Sequence, residues 1–496
     1  MHDELFTAVF GGADDTLVRL LRADPAGAVC AVDAEGRTAL YAAAVGDRPS
    51  AVRLLLAAGA DPQRACGEDA GDLPLCGAAS GGHTEVVRAL LAAGAEVDLR
   101  EAYGFTALAW AAVQGFADTL EALLEAGADP DLPGPGGERP LVLAARRGSA
   151  AAVRALLRHG AGSGDPGGRE AALAEARHWL GRDVERELRQ GLAAAYGEGF
   201  ETVVRRTVAD GAESVTVELL RDGAPVAGRA AGTGHAAVAT VLEAGLGVRA
   251  GYEELARRAL RCRDPARDDW REAVTALAAL PVEETFQVAA VWCRTAEEWR
   301  GTLAADVLAE LPARAGLSGR AVEALREVLA AVPAPRTPAP AALVGAVVRA
   351  LGRHGCRPGD VSRHAGHPDP EVRRRVAAAP PLAGEQGLGT LIALATDLDP
   401  AVRRTAVTAL AATDGAEGRV REVLARRLRD PDDATAAEAA TGLARRGDER
   451  AVAALARLLA RADPGGTAWA RAREAVALVP DGPARRELER TPPRRG

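Results

Sequence analysis

The segment TALYAAAVGD, which begins at Thr38, has three related copies: LPLCGAASGGH from Leu73, TALAWAAVQGF from Thr106 and RPLVLAARRGS from Arg139. Each copy is followed by a second apolar segment, such as EVVRALLAAGAEVD. The spacing of the copies recurs at their closing glycines, Gly59, Gly94, Gly127 and Gly160. Agreement at both ends of the unit indicates a true internal repeat of about 33 residues.

The residue types of this repeat predict two short helices in each unit. Thr38 and Thr106 are good helix N-caps because a hydroxyl oxygen accepts bonds from first-turn amides. Small pairs such as Ala111–Ala112 let stacked helices approach closely, and pairs such as Leu90–Leu91 fill the layer between units. The closing glycine can adopt a left-handed conformation and end the second helix. One unit cannot bury its own apolar face, so at least three units must stack.

These segments resemble ankyrin repeats, whose motif combines T-P-L-H-x-A-A with G-H…V-V…L-L…G-A-D. The resemblance covers roughly residues 3–162 and includes a degenerate first unit, ELFTAVFGGADDTLVRLLRADP, as an N-terminal cap. Leu73 and Arg139 depart from the motif by replacing the capping Thr, and Asp47 stands where Gly is usual. We therefore predict a first domain of about five ankyrin units over residues 1–162.

The next segment, residues 163–252, is predicted to contain connecting helices and a small β-hairpin. Residues 170–193 have helical periodicity and are expected to extend the stack. The turn signals Asp210–Gly211 and Asp222–Gly223 flank an alternating VTV and predict a β-hairpin or meander over about 201–228. Residues 234–248, GHAAVATVLEAGLGV, look like the second half of an ankyrin unit, but a single half-motif favours a plain amphipathic helix.

A second kind of repeat appears in the C-terminal half. DPEVRRRVAAA (369–379), DPAVRRTAVTAL (399–410) and DDATAAEAATGL (432–443) follow one another at a nearly regular spacing. Asp-Pro starts a helix well, because Asp accepts at the N-cap and Pro is tolerated in the first turn. These segments resemble HEAT repeats, especially the short bacterial type that opens with D-P-x-V-R-x-x-A-x-x-A-L.

The predicted fold class is mainly α: an ankyrin-repeat solenoid followed by an α-solenoid of HEAT-like helical hairpins, with a small β-hairpin between them. HEAT-like helices are expected over residues 253–331 and HEAT-like repeats over 342–480. VPAPRTPAPA (332–341) is expected to be a Pro-rich linker, and residues 481–496 a flexible tail.

Composition agrees with stacked helices. The chain of 496 residues is 48% hydrophobic but only 3% aromatic, so its core must be built from Ala, Leu and Val. It has no Lys, no Asn and one Ile, which indicates a GC-rich bacterial genome and makes Arg the only strong base. The net charge of −8 is concentrated in the segment 1–162, so nucleic acid is not an expected partner there.

The sequence also indicates a cytoplasmic protein. No window of about 18 uncharged apolar residues predicts a membrane span, and MHDELFTAVF lacks a signal-peptide pattern. The six cysteines are scattered without a CxxC pair, which is typical of reduced core thiols.

The sequence contains no recognised motif for catalysis. GxxxxGK, GxSxG and HExxH are all missing. His354, Cys356, His364 and His367 are four possible zinc ligands in one short segment, but their spacing is not a known zinc pattern. We therefore expect structural or solvated histidines, no metal and no cofactor.

Arginines in the C-terminal repeats leave one alternative open. Arg373–Arg375, Arg403–Arg404 and Arg426–Arg427 recur at the repeat spacing, and we expect them to be solvated or paired with nearby acids. HEAT-like proteins include DNA-repair glycosylases and bilin lyases, so the alternative to a non-enzymatic protein is an enzyme or nucleic-acid-binding protein that uses these arginines.

The resemblance to ankyrin repeats implies a scaffold or adaptor that binds another protein through hairpin fingertips and the first helices on its concave side. The matching fingertip positions are Glu35, Arg37, Asp69, Asp72, Tyr103, Phe105 and Glu138. Val113–Gln114 and Arg146–Arg147 match the exposed end of the first helix.

Tyr103 and Phe105 stand out among these positions. Aromatic residues are scarce in the chain, and these two flank Gly104 at a fingertip where the repeat needs no large side chain. Phe105 has an alternative role in packing against the neighbouring finger, whereas we place Trp110 at an inward position of its helix. Acidic residues surround the pair, so we expect a partner patch that is apolar at its centre and basic at its rim.

Overall fold

The computed structural model describes residues 2–67, 71–165, 167–209, 211–295, 297–331, 341–383, 387–413, 417–463 and 465–491. The chain forms two compact units, residues 1–276 and 277–496. The described residues are mostly α-helical and contain a single three-stranded antiparallel sheet. This confirms the predicted fold class. No helix among the described residues combines the length and the apolar character needed to cross a membrane.

The first unit begins with eleven helices that precede its sheet-containing part. They are α1 (His2–Gly11), α2 (Asp14–Ala23), α3 (Pro25–Cys30), α4 (Ala39–Val45), α5 (Pro49–Ala57), α6 (Pro74–Gly81), α7 (Thr84–Ala92), α8 (Ala107–Gln114), α9 (Ala117–Glu125), α10 (Pro140–Arg147) and α11 (Ala150–Arg158). A 3-10 turn, Pro135–Gly137, precedes α10.

The ends of these helices follow from the residues that the sequence places there. Thr38 accepts a bond from the Tyr41 amide at 3.1 Å, and Thr106 accepts one from the Ala109 amide at 3.1 Å. Where Thr is replaced, Pro74 and Pro140 occupy the first helical turn instead. Asp47 takes the left-handed conformation, with φ of 50°, at the position that Gly82 fills in the next unit.

The helices form two layers. The first helices α4, α6, α8 and α10 pack side by side, and the second helices α5, α7, α9 and α11 form the other layer. Side chains such as Ala111, Leu120 and Leu123 are fully buried between the layers. Small first-helix residues and large second-helix residues therefore fill one continuous core.

Five helix pairs over residues 2–158, including the first pair α1 and α2, are followed by a sixth pair that an insertion splits. The elements that follow α11 are α12 (Gly167–Trp179), α13 (Val184–Tyr196), β1 (Glu201–Ala209), β2 (Ala212–Arg221), β3 (Ala224–Gly232), α14 (His235–Gly245), α15 (Tyr252–Cys262) and α16 (Asp268–Ala278). Helix α12 packs on α10, and α14 packs on both α11 and α12. These two helices therefore occupy the first-helix and second-helix layers, while α13 and the sheet lie between them in sequence.

The position of α14 corrects the sequence interpretation of residues 234–248. Residues 235–240 are all buried, so this helix has no solvated face along its first half and is not amphipathic there. Val238 and Leu242 belong to the same core as the preceding units. The half-motif looks isolated in the sequence because its partner helix, α12, comes before the inserted sheet.

The sheet has its own small core. Strands β1, β2 and β3 are antiparallel neighbours in sequence order, with Val204 opposite Val217 and Val217 opposite Arg229. Helix α13 covers one face through Val184, Leu188 and Leu192. The predicted hairpin over 201–228 is therefore a three-stranded meander that extends to Gly232.

The second unit consists of helical hairpins. Its helices are α17 (Val282–Cys293), α18 (Glu298–Glu310), α19 (Ala315–Ala331), α20 (Ala341–Arg353), α21 (Pro358–Ser362), α22 (Pro370–Ala377), α23 (Leu388–Leu394), α24 (Pro400–Ala412), α25 (Glu417–Arg427), α26 (Asp433–Arg445), α27 (Arg450–Arg461), α28 (Thr467–Ala475) and α29 (Pro483–Arg490), with 3-10 turns at Pro380–Ala383 and Val476–Leu478. Helices α18, α20, α22, α24, α26 and α28 pack in one row.

Aspartates start several of these helices as the sequence predicts. Asp369 accepts from the Glu371 amide at 2.7 Å, Asp399 from Ala401 at 2.9 Å and Asp432 from Thr435 at 2.9 Å. The expected linker 332–341 falls outside the described residues except for Ala341. Within the expected flexible tail, α29 packs on α27 and buries Leu488, while residues 492–496 lie outside the described part.

Candidate functional site

The fingertips of the first unit form a hydrogen-bonded ribbon. In the finger of Tyr103, the Glu101 amide donates to the Phe105 carbonyl at 3.0 Å, and the Gly104 amide donates to the Glu101 carbonyl at 2.8 Å. The Ala102 amide reaches across to the Gly71 carbonyl at 3.2 Å. Neighbouring fingers therefore support one another and hold their tips in fixed positions.

Tyr103 is the most exposed aromatic side chain among the described residues, with 65% of its surface accessible. Phe105 is half-buried and stacks on Trp110, with ring centroids 4.2 Å apart and an interplanar angle of 20°. Glu101 fixes the other ring by accepting the Trp110 indole N–H at 2.7 Å. We call Glu101, Tyr103, Phe105 and Trp110 the aromatic fingertip.

The geometry of the aromatic fingertip shows what each of its rings contacts. Phe105 stacks on Trp110 of its own unit and also packs against the hydrophobic core. Trp110 is half-buried and packs against the hydrophobic core, which agrees with its inward position, while its ring also stacks on Phe105. Tyr103 is therefore the exposed aromatic side chain of the fingertip, and the stacked rings of Phe105 and Trp110 form a rigid base beside it.

The fingertip is also acidic. Glu101 is half-buried, and the pKa of its carboxyl is raised, first by burial and also by the nearby charge of Asp72, against the lowering effect of the Trp110 bond. No ion pair holds Glu101 or Asp72 among the residues that the structure describes.

The remaining fingertip positions are more constrained. Arg37 donates to Asp33 at 2.8 Å and to Glu35 at 3.1 Å, so Glu35 and Arg37 form a local ion-pair cluster with Glu35 exposed. Asp72 pairs with Cys66 through both backbone groups at 3.0 Å. Asp69 lies outside the described residues.

Arg146 is engaged within the molecule rather than free for a partner. It binds Glu138 through two bonds at 2.9 and 2.5 Å and Glu175 at 3.2 Å, which joins a fingertip to α12. The Arg146 bond, with a smaller opposing effect of burial, holds the pKa of Glu138 below its usual range.

Arg147 holds the inserted sheet against the repeats. Its guanidinium donates to the Gln114 carbonyl at 3.0 Å, to the Ala230 carbonyl on β3 and to the Ser214 hydroxyl on β2 at 3.4 Å. Burial lowers the pKa of Arg147. Gln114 is half-buried and Val113 packs on the core, so this end of the first helices faces the sheet.

A groove of about 420 Å³ lies beside the Arg147 side chain. Its walls are the turns at Gly115–Phe116 and Gly148–Ser149 on one side and Thr207, Glu213 and Ser214 of the sheet on the other. The sequence assigns none of these residues to a site, because no pattern in it associates the sheet with the ends of the first helices.

His235 is a second contact that sequence reasoning missed. Its Nε2 lies 3.0 Å from the Arg146 carbonyl, and its ring stacks on Trp179 with centroids 5.0 Å apart. Burial lowers its pKa from 6.5 to about 4. The Gly234–His235 pair was the available signal, because Gly82–His83 makes a matching contact, with His83 Nε2 3.1 Å from the Val45 carbonyl.

The side chains of His354, Cys356, His364 and His367 in the second unit do not come together to form one site. His354 is buried and uses both ring nitrogens, with Ser318 Oγ at 3.2 Å and the Leu308 carbonyl at 2.7 Å. His367 accepts from the Asp369 amide at 3.1 Å, and burial lowers the pKa of His364 to about 4. In the described part of the chain, no three His, Cys, Asp or Glu side chains are arranged to hold a metal ion.

Six of the repeated arginines of the second unit pair with acids: Arg373, Arg374, Arg375, Arg403, Arg426 and Arg427. Arg404 is exposed. Arg373 binds Asp397 at 2.7 and 2.9 Å, and Arg403 binds Asp430 at 2.9 and 3.1 Å. Arg403 and Asp430 are both buried. The pairs of Arg373 with Asp397 and of Arg403 with Asp430 each join one repeat to the next, so these two guanidiniums act inside the protein.

Comparisons with known families agree with this architecture. Residues 35–66 match the family model for the ankyrin repeat, residues 63–134 match the model for three ankyrin-repeat copies, and residues 388–477 match the model for HEAT repeats. A search of curated proteins finds no match. The chain therefore carries ankyrin repeats at 35–134 and HEAT repeats at 388–477, as the sequence predicts.

Proposed function

We propose that this protein is a non-enzymatic scaffold that binds another protein through the aromatic fingertip of its ankyrin repeats. The observation that carries this proposal is the exposure of Tyr103, at 65%, beside the stacked pair of Phe105 and Trp110. Rigid, exposed aromatic side chains are typical anchors of protein interfaces. Ankyrin and HEAT repeats are protein-interaction modules, which supports a binding role for the chain as a whole.

The partner surface follows from the chemistry of the fingertip. An apolar pocket on the partner would accept Tyr103, and basic groups at its rim would face Glu101 and Asp72. Arg146 and Arg147 are held by internal partners, so we now place the binding surface at the fingertips and exclude these two residues from it.

The alternative function, an enzyme or nucleic-acid-binding protein that uses the arginines of the C-terminal repeats, receives less support. Arg373 and Arg403 would have to leave Asp397 and Asp430 before they could bind a phosphate group. Breaking the buried pair of Arg403 and Asp430 would cost roughly several kcal/mol. Free, unpaired cysteines among the described residues support a cytoplasmic location for the scaffold.

Photo-crosslinking tests this proposal. A photoreactive phenylalanine analogue replaces Tyr103 in the full chain, and the same analogue replaces Tyr196, which is 50% exposed on α13, as the control. Irradiation in extract of the source organism should give a defined adduct at position 103 that position 196 does not give. Identical adducts at both positions, or none at 103, would refute a fingertip site.

A further inference from the structure

The inserted sheet has an unprotected edge at β1. The strand order β1-β2-β3 leaves β1 at the border of the sheet. Among the described residues, no backbone hydrogen bond reaches β1 from any element other than β2. Six of its residues are exposed, including Val203 at 37% and Val208 at 61%.

An exposed edge of this kind can form hydrogen bonds with a strand from another chain. β1 is nine residues long and contains no Pro or Gly, so it lacks two common devices that block edge-to-edge pairing. Its sequence, ETVVRRTVA, is rich in β-branched residues that favour strands. A second strand could therefore add to β1 by ordinary ladder hydrogen bonds.

The side chains of β1 favour a second copy of the same strand as the pairing partner. We propose that two copies of this chain associate through antiparallel pairing of their β1 edges about a two-fold axis at Val203. This register places Glu201 opposite Arg205, Thr202 opposite Val204, and Val203 opposite its own copy. Opposite charges and β-branched pairs directly across a ladder are stabilising.

Competing registers are less favourable. A two-fold axis at Arg205 would pair the whole strand but would place the two Arg205 guanidiniums opposite each other, which is destabilising. An axis at Val204 would set Val203 opposite Arg205 and leave Glu201 opposite Thr207. Only the axis at Val203 sets both Arg205 side chains directly opposite a carboxylate.

Ion pairs within one chain do not prevent the proposed contact between Glu201 and Arg205 of two copies. Glu201 forms no ion pair among the described residues, so its carboxylate is available. Among the described residues, Arg205 is exposed and pairs with the half-buried Glu218 on its own face of the sheet. Arg206 points to the other face, where Glu185 binds it at 3.0 Å, and takes no part in the proposed pairing.

Five paired residues cover about 17 Å of strand, which is a small contact, so the dimer should be weak and concentration-dependent. This association is separate from partner binding at Tyr103. The two inferences therefore stand or fall independently.

Sedimentation velocity on the full chain, at concentrations up to about 200 µM, tests the dimer. The parent chain should shift from monomer to dimer over this range. Arg205→Glu and Glu201→Arg should each weaken dimerisation about tenfold or more, because each replaces two attractive contacts with two repulsive ones. The combined E201R/R205E variant should restore it, since the charges again match.

Arg257→Glu, at an exposed position on α15, is the matched control and should dimerise like the parent chain. Far-UV circular dichroism checks that every variant keeps its helix content. A parent chain that stays monomeric throughout, as it would if β1 accepts only a strand from another protein, overturns the proposal. So does an R205E variant that dimerises normally, or a double variant that remains monomeric.

Discussion

At the scale of single residues, His235 links three parts of the first unit. It is the first residue of α14, it contacts the carbonyl of Arg146 on α10, and it stacks on Trp179 at the end of α12. The neutral imidazole suits this buried site, because burial outweighs the nearby charge of Glu175 and no carboxylate among the described residues hydrogen-bonds to the ring.

Replacing His235 by Phe should remove a pH dependence of stability. The unfolded chain binds a proton on His235 near pH 6.5 and the folded chain only near 4, so the contribution is complete above 6.5 and is lost as the pH falls to 4. The loss is at most about 3 kcal/mol. H235F should unfold more easily at pH 7, because the bond to Arg146 is lost, but its stability should fall less between pH 6.5 and 4.

Urea unfolding at several pH values measures this difference. Asp269 acts in the opposite direction, because burial raises its pKa to about 6, but it is common to both proteins and cancels in the comparison. Parallel pH profiles for the parent and H235F would show that His235 does not titrate as the structure implies.

Residue-level prediction succeeded where the cause is local. The caps at Thr38 and Thr106 and the left-handed closing glycines depend only on neighbouring backbone, so the repeat motif identifies them. The partners of Arg147 come from strands 67 and 83 residues away. No local sequence pattern predicts such contacts. Arg147, which the sequence assigns to partner binding, therefore binds residues within the molecule instead.

At the scale of elements, buried ion pairs join successive helices of the second unit. Arg403 on α24 binds Asp430 just before α26, and it also donates to the carbonyls of Asp397 and Leu398 at 2.9 and 3.0 Å. Although burial alone would raise it, the bonds from Arg403 hold the pKa of Asp430 below its usual range.

Replacing Asp430 by Ala should therefore destabilise the second unit by about 3 kcal/mol or more, because Arg403 remains buried without its counter-charge. Glu422→Ala removes the exposed pairs with Arg426 and Arg450 and should change the free energy of unfolding by less than about 1 kcal/mol. Chemical denaturation of the full chain, with both variants, measures the two effects. Equal effects would mean that the buried pair adds nothing special to the repeat interface.

At the scale of elements, sequence prediction failed where a period was interrupted. Helices α12 and α14 behave as one repeat, but the sheet separates them, so a search for the regular ankyrin spacing finds only half of the unit. Burial along residues 235–240 shows the relationship that spacing hides.

At the scale of the whole molecule, each compact unit contains its own stacked core. A fragment of residues 1–280, which ends after α16, should fold cooperatively, because it retains all six helix pairs of the stack and the inserted sheet. A fragment of residues 1–234 lacks α14 and exposes the faces of α11 and α12 that α14 covers.

Thermal unfolding followed by circular dichroism should place the midpoint of 1–234 at least about 5 °C below that of 1–280. The physical reason is the loss of buried side chains such as Val238 and Leu242 from the continuous core. Equal midpoints for the two fragments would show that α14 is an appended helix rather than half of the sixth pair.

The central claim concerns Tyr103, and the affinity of the crosslinked partner for the full chain tests it most directly. Calorimetric titration of that purified partner compares the parent chain with Tyr103→Ala and with the control Tyr196→Ala, since both positions are exposed. We predict that Y103A weakens binding by about 2 kcal/mol, which is roughly 30-fold in Kd, while Y196A binds like the parent. A Y103A variant that binds as tightly as the parent chain would contradict a binding surface at the aromatic fingertip.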